Sequence, residues 1–99
     1  MPSHALKLNE KDNVATALVA INKGDSVCIS CHDGREMIQA QEDIPFGFKV
    51  SVGQIGRGDE IIKYGEIIGR ASKNIAPGEC VHIHNVEGTR GRGDKAEEK

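Results

Sequence analysis

The sequence predicts a mainly β domain of short strands with one or two short helices. Apolar residues come in short runs, several of them alternating with polar ones, the period-two signature of a strand. Gly, Pro, Asn and Asp, the residues that turns need, break up the runs. A pattern Ile-x-x-Gly-(Asp/Glu)-x-(Val/Ile) also recurs three times, at residues 21–27, 55–61 and 75–81. In each copy an apolar anchor enters a turn, the glycine supplies a positive φ, and the acid is expected on the solvent side before the next strand begins. The copies are spaced by 34 and then 20 residues, which excludes a solenoid of fixed period.

The elements follow in order. Ala5-Leu6-Lys7-Leu8 is a first strand, and residues 9–13 are a turn. Val14, Ala15, Ala17, Leu18 and Ile21 fit a helical stripe better than alternation, with Asp12 or Asn13 where a cap would stand, so a short helix is expected over 13–21. Residues 27–30 and 36–41 flank His32-Asp33-Gly34 and read as a hairpin. Residues 46–52 alternate; 61–62, 66–71 and 80–86 complete the strands. Apolar residues vanish after Glu87, so the domain is taken as 1–87 and residues 88–99 as a flexible tail or linker.

Ninety-nine residues suffice for one core, and the only aromatics are Phe46, Phe48 and Tyr64. The net charge of −2 argues against a nucleic-acid binder. No run of about 18 apolar residues points to a membrane, and the N-terminus lacks the pattern of a signal peptide, so a cytoplasmic protein is expected. Three cysteines then suggest free thiols. Cys28-Ile29-Ser30-Cys31-His32 has the form of a haem-attachment motif, and Cys28, Cys31, His32 and Cys80 are a conceivable zinc set. On a strand, however, residues three apart point to opposite faces; the plainer reading is a buried Cys28 and a partly exposed Cys31. Arg57-Gly58-Asp59 belongs to a turn copy and Arg92-Gly93-Asp94 to the tail, and chance accounts for both.

The most informative segment is Cys80-Val81-His82-Ile83-His84-Asn85, which follows Pro77-Gly78. Read as a strand, it puts His82 and His84 on one face and Val81 and Ile83 on the other, so two imidazoles are offered as metal ligands or acid/base groups, or stand there simply as solvated residues. Lys49, Tyr64 and Glu66 lie beside apolar strand positions and are candidates to line a shared edge with them.

These segments resemble a known family. Asp43-Ile44-Pro45-Phe46-Gly47-Phe48-Lys49-Val50, Ile62-Lys63-Tyr64-Gly65-Glu66-Ile67-Ile68-Gly69 and Val81-His82-Ile83-His84-Asn85-Val86 are similar, in order, to three motifs of the small SAF domain of altronate dehydratases, and residues 8–21 look like its opening. The resemblance implies a SAF-like β-clip and dehydration of a sugar acid such as altronate or galactarate, or loss of sulfite from sulfolactate in a close relative. It implies iron(II) or another divalent metal shared with a large catalytic subunit as partner, this chain being the small subunit. On that reading His82, His84 and Lys49 are the catalytic candidates, His82 and His84 the metal candidates, and Tyr64, Glu66 and Asn85 the substrate-binding candidates. The family usually has histidine where this chain has Phe48. That departure keeps a second reading open, a non-catalytic SAF-like module that binds a carbohydrate or a partner; a metal–thiol protein built on Cys28, Cys31 and His32 is a third. Exposed strand edges also leave a homo-oligomer open.

Overall fold

Among the described residues, four turns of one kind, not three, organise the chain. A computed structural model describes residues 3–31 and 34–88. Gly24, Gly47, Gly58 and Gly78 all have φ between 86° and 91°. In each turn the residue after glycine donates its N–H back across the turn, from Asp25 to Asn22, Phe48 to Pro45, Asp59 to Gly56 and Glu79 to Ala76, at 2.9–3.1 Å. A positive φ at the third position defines a type II turn, which glycine occupies without the penalty other residues meet. The anchors pair as antiparallel bridges, Ile21 with Ile44 and Ile55 with Ile75, and all four are buried.

The acids in the pattern do more than face solvent. Asp25 Oδ2 accepts the N–H of Asn22 at 2.9 Å, Asp59 Oδ2 that of Gly56 at 2.8 Å, and Glu79 Oε1 that of Ala76 at 3.0 Å. The fourth turn, residues 44–50, begins at Pro45, which has no N–H to offer. An acid at position 48 would find no such donor there, so Phe48 occupies a place freed from that duty.

Among the described residues nine strands follow: β1 (Ala5–Leu6), β2 (Val14–Ala17), β3 (Ser26–Cys31), β4 (Gly34–Gln39), β5 (Lys49–Ser51), β6 (Glu60–Lys63), β7 (Glu66–Ala71), β8 (Cys80–Val81) and β9 (Val86–Glu87). They form a six-stranded sheet in the order β4-β3-β1-β2-β5-β8 and a three-stranded sheet in the order β6-β7-β9. The expected β3–β4 hairpin is present, with Cys31 opposite Gly34; His32 and Asp33, like Arg92-Gly93-Asp94 and the proposed linker beyond Gly88, lie outside the described residues. The mainly β expectation holds. No helix occurs among the described residues, and none is therefore long and apolar enough to cross a membrane.

The helix expected over 13–21 is instead strand β2. Its stripe misleads because β2 is covered on both faces. Ala15 and Ala17 enter one core with Ala5, Ile21, Val27, Ile29, Ile44 and Val50, while Val14 enters a second with Ile55, Ile61, Ala71, Ile75 and Val81. A strand buried on both sides shows no alternation. Asp12 and Asn13 cap no helix. Asp12, 4% exposed, accepts the N–H of Asn9 at 3.1 Å and that of Gly65 at 2.7 Å. Asn13 Nδ2 donates to Glu60 O and its Oδ1 accepts the Ile62 N–H, both at 2.8 Å. These two residues fasten the β6–β7 hairpin to the larger sheet.

Candidate functional site

The register across β2, β5 and β8 decides which candidates meet. Ala15, Val50 and Cys80 form one row, and Thr16, Lys49 and Val81 the next. Side chains in a row share a face, and successive rows alternate. The first row faces the first core. The second points toward the three-stranded sheet, where Val81 joins the second core and Lys49 stands half-buried at the rim. Continuing the register, Ala17 N–H donates to Phe48 O at 2.8 Å, and the Phe48 ring stacks on His82 with centroids 4.0 Å apart. Lys49 and His82 therefore leave the sheet on opposite faces.

Around Lys49 the seam between the sheets is cationic. Burial holds its ammonium below the usual 10.5, the Lys63 ammonium pushes the same way, and Cys80 opposes them. No side-chain hydrogen bond or ion pair with a described residue reaches Lys49; the Lys7–Glu36 pair, at 3.1 Å, lies elsewhere. Cys80 is pushed above its ordinary 9.0 by burial and by Glu42, whose carboxylate accepts the Cys80 N–H at 2.9 Å, with Lys49 partly offsetting the shift. Lys63 Nζ lies 5.0 Å from the centre of the Tyr64 ring, a cation–π distance.

Tyr64 is held in an unusual backbone. Lys63 pairs with Glu66 across a two-residue loop in which Tyr64 has φ 54° and Gly65 φ 82°. Such a loop favours Asn-Gly, and a bulky residue in the left-handed region costs about 1–2 kcal/mol. The Tyr64 hydroxyl donates to Thr16 Oγ1 at 3.0 Å, tying the loop over the row that carries Lys49. Replacing Asp12 by Ala removes a charged acceptor from two N–H groups and is expected to cost about 3 kcal/mol. Thermal melts check the stability loss, and the Tyr64 and Gly65 amide resonances should shift most if the hairpin is released.

The histidines are placed differently from the expected strand. β8 ends at Val81, and residues 82–85 form a turn closed by the Asn85 N–H to His82 O at 3.1 Å. Asn85, 3% exposed, spends its side chain inside the turn: Oδ1 accepts the His82 N–H at 2.9 Å and Nδ2 donates to Cys80 O at 2.8 Å. This asparagine can replace two strand residues' worth of pairing, which is why an alternating run stops being a strand. His82 and His84 thus do not stand side by side on one strand face; His82 is stacked and half-buried, His84 exposed. Glu66 is exposed across the hairpin from Lys63.

Among the described residues no three His, Cys, Asp or Glu side chains converge to hold a metal ion. Cys28 and Cys80 are buried and Cys31 is partly so, and none is in a disulfide; His32 lies outside the described residues. The described residues by themselves do not assemble a donor set for a metal centre. The structure brings together Lys49 and Tyr64, and adds Thr16 and Lys63, which the sequence reading did not single out. Only the cross-strand register, invisible in one sequence, would have found them.

A small two-sheet β domain with a cationic seam is thus the class that fold and site define. The sequence matches the family described as the altronate/galactarate dehydratase SAF domain over residues 3–89, and the chain belongs to that family. It is 38% identical to altronate dehydratase of Bacillus subtilis over 82 residues, covering 83% of this chain but 16% of that protein. Altronate dehydratase of Escherichia coli is 35% identical, again with 16% of its length covered. A (2R)-sulfolactate sulfo-lyase subunit alpha from Paracoccus pantotrophus is 36% identical over 62 residues, 62% of this chain and 92% of that subunit. The chain therefore spans about one-sixth of the length of the dehydratases it resembles.

Proposed function

We propose that this chain is the small, SAF-domain component of a hydro-lyase that dehydrates a sugar acid such as altronate, working with a separate large chain that carries most of the catalytic machinery. Family membership supports the chemistry, and the near-complete match to a sulfo-lyase subunit supports a separately encoded module. The observation that carries the reading is Lys49: a half-buried ammonium, beside a second cation and in no ion pair with a described residue. A substrate carboxylate completes such a site through a charge-assisted hydrogen bond.

Dehydration removes the proton from the carbon bearing the carboxylate and hydroxyl, expels the hydroxyl of the next carbon as water, and leaves an enol that becomes a 2-keto acid. Lys49 and Lys63 stabilise the negative charge that grows on the carboxylate as that proton leaves. Tyr64, tied to Thr16, borders the same seam. His84, exposed at its turn, is the imidazole free to serve as an acid or base, or as one contact to a metal such as iron(II) held chiefly by the large chain; His82 is fixed by its stack. Asn85 shapes that turn.

The opposite faces of Lys49 and His82 favour one alternative, a module that binds an acid or partner without chemistry. The test is to recover the large chain with this one and assay altronate, galactarate and sulfolactate with added iron(II). Turnover by the pair and by neither chain alone is the expected result; acid binding without turnover by the pair would leave only the binding module.

A further inference from the structure

Exposed apolar residues are scattered singly over most of the surface, but they gather at one end of the six-stranded sheet. Phe46 is 71% exposed and Ile83 83%, and Leu18 and Val19 are exposed as well. Backbone hydrogen bonds from Gly47 N to Ala17 O and from Ala17 N to Phe48 O put residues 17–19 beside 46–48, and the Phe48–His82 stack brings the Ile83 turn to the same end. Residues 17–20, 44–48 and 81–86 contain no Asp, Glu, Lys or Arg. Elsewhere Met37 stands next to Glu36, and Ile67 and Ile68 lie between Glu66 and Arg70. Clustered apolar groups without charge, an aromatic among them, are the composition of an interface centre.

Building on the proposed function, we infer that this end of β2, β5 and β8 is where the large chain docks. In the dehydratase relatives a domain of this size is 16% of the protein, joined to a far larger body. The surface lies at the same end of β2, β5 and β8 as the row Thr16, Lys49 and Val81, with Lys49 on the other face of that end. A body seated on Phe46 and Ile83 thus also reaches the rim where a carboxylate would lie. A second copy of this chain fits less well, since it would bring its own Lys49 and Lys63 toward the same place, and like charges oppose that approach.

The experiment measures the affinity between this chain and its large chain, identified by its match to the remainder of altronate dehydratase. Phe46→Ser and Ile83→Ser should each weaken it by about 30-fold or more, with melting temperatures unchanged because both side chains are exposed. Met37→Ser, on the far edge strand β4, should leave affinity unchanged. Equal binding by wild type and both variants overturns this face while the two-chain reading stands. Failure of the wild type to bind the large chain overturns both. A dimer of this chain that Phe46→Ser dissolves makes a second copy the occupant and overturns the inference.

Discussion

Gly78→Ala is expected to remove about 4 kcal/mol, much of a small domain's stability, while Gly47→Ala, in the equivalent turn, leaves the fold intact. Both glycines have φ near +90°, 89° and 86°, so both variants carry the left-handed penalty of about 1–2 kcal/mol. Their surroundings differ. Nothing lies within 4 Å of a Cβ added at Gly47, whereas one at Gly78 runs into the carbonyl oxygen of Gln39 and comes within 3.2 Å of Gln41 Cγ. Backbone cannot swing aside as a side-chain end can. Gly78 N–H also donates to Ser51 O, and its carbonyl accepts from Gln41 N–H, both at 2.9 Å, so the turn is wedged between two other segments. Overpacking there adds roughly 2 kcal/mol or more, giving a total near 4 kcal/mol, and a small domain has little beyond that. Denaturant melts of the two variants make the comparison; similar midpoints would show that the close approach of Gln39 is not limiting.

That contrast also shows what one sequence can and cannot reveal. The repeated Ile-x-x-Gly pattern announced the turns, and with them a β fold, because each copy carries its own physics. The fourth copy stayed hidden because Phe48 stands where the other three have an acid, and Pro45, with no N–H, would leave such an acid no donor. The β2 segment reads as helix because burial on both faces erases the alternation on which strand recognition rests. Asp12 and Asn13 looked like helix caps for the same reason that makes them good hairpin clamps: short side chains that bond to nearby backbone.

The site was less legible. Lys49 and Tyr64 could be singled out as polar residues at apolar positions, but their meeting depends on Lys49 standing opposite Thr16 and on Tyr64 reaching Thr16, contacts between residues up to 48 positions apart. The histidine segment alternated convincingly. What turned it was Asn85, whose amide can close a turn on Cys80 and His82, a possibility that alternation does not encode.

On the proposed function, Lys49→Met is expected to cost the assembled pair of chains its affinity for the acid while making the domain no less stable. Met keeps the length of the aliphatic stem and drops the ammonium. Since burial and Lys63 both disfavour that charge, its removal relieves the fold, and the melting temperature should hold or rise. Substrate binding should weaken by about 10- to 100-fold, the worth of a hydrogen bond to a charged partner. The pH dependence separates this from a packing effect. Lys49 has a folded pKa below its unfolded 10.5, so between those two values the unfolded chain holds a proton that the folded one has lost, and stability rises with pH through that window. Acid affinity runs the other way. It needs the ammonium and should fall as pH climbs through the lowered pKa, before lysines ordinarily titrate. The Cys80 thiol, raised above 9.0, titrates later than an ordinary thiol and works against an early onset from that source. Both trends should vanish in Lys49→Met. If the variant keeps wild-type KM on the assembled enzyme, the carboxylate lies elsewhere and the seam is not the substrate site.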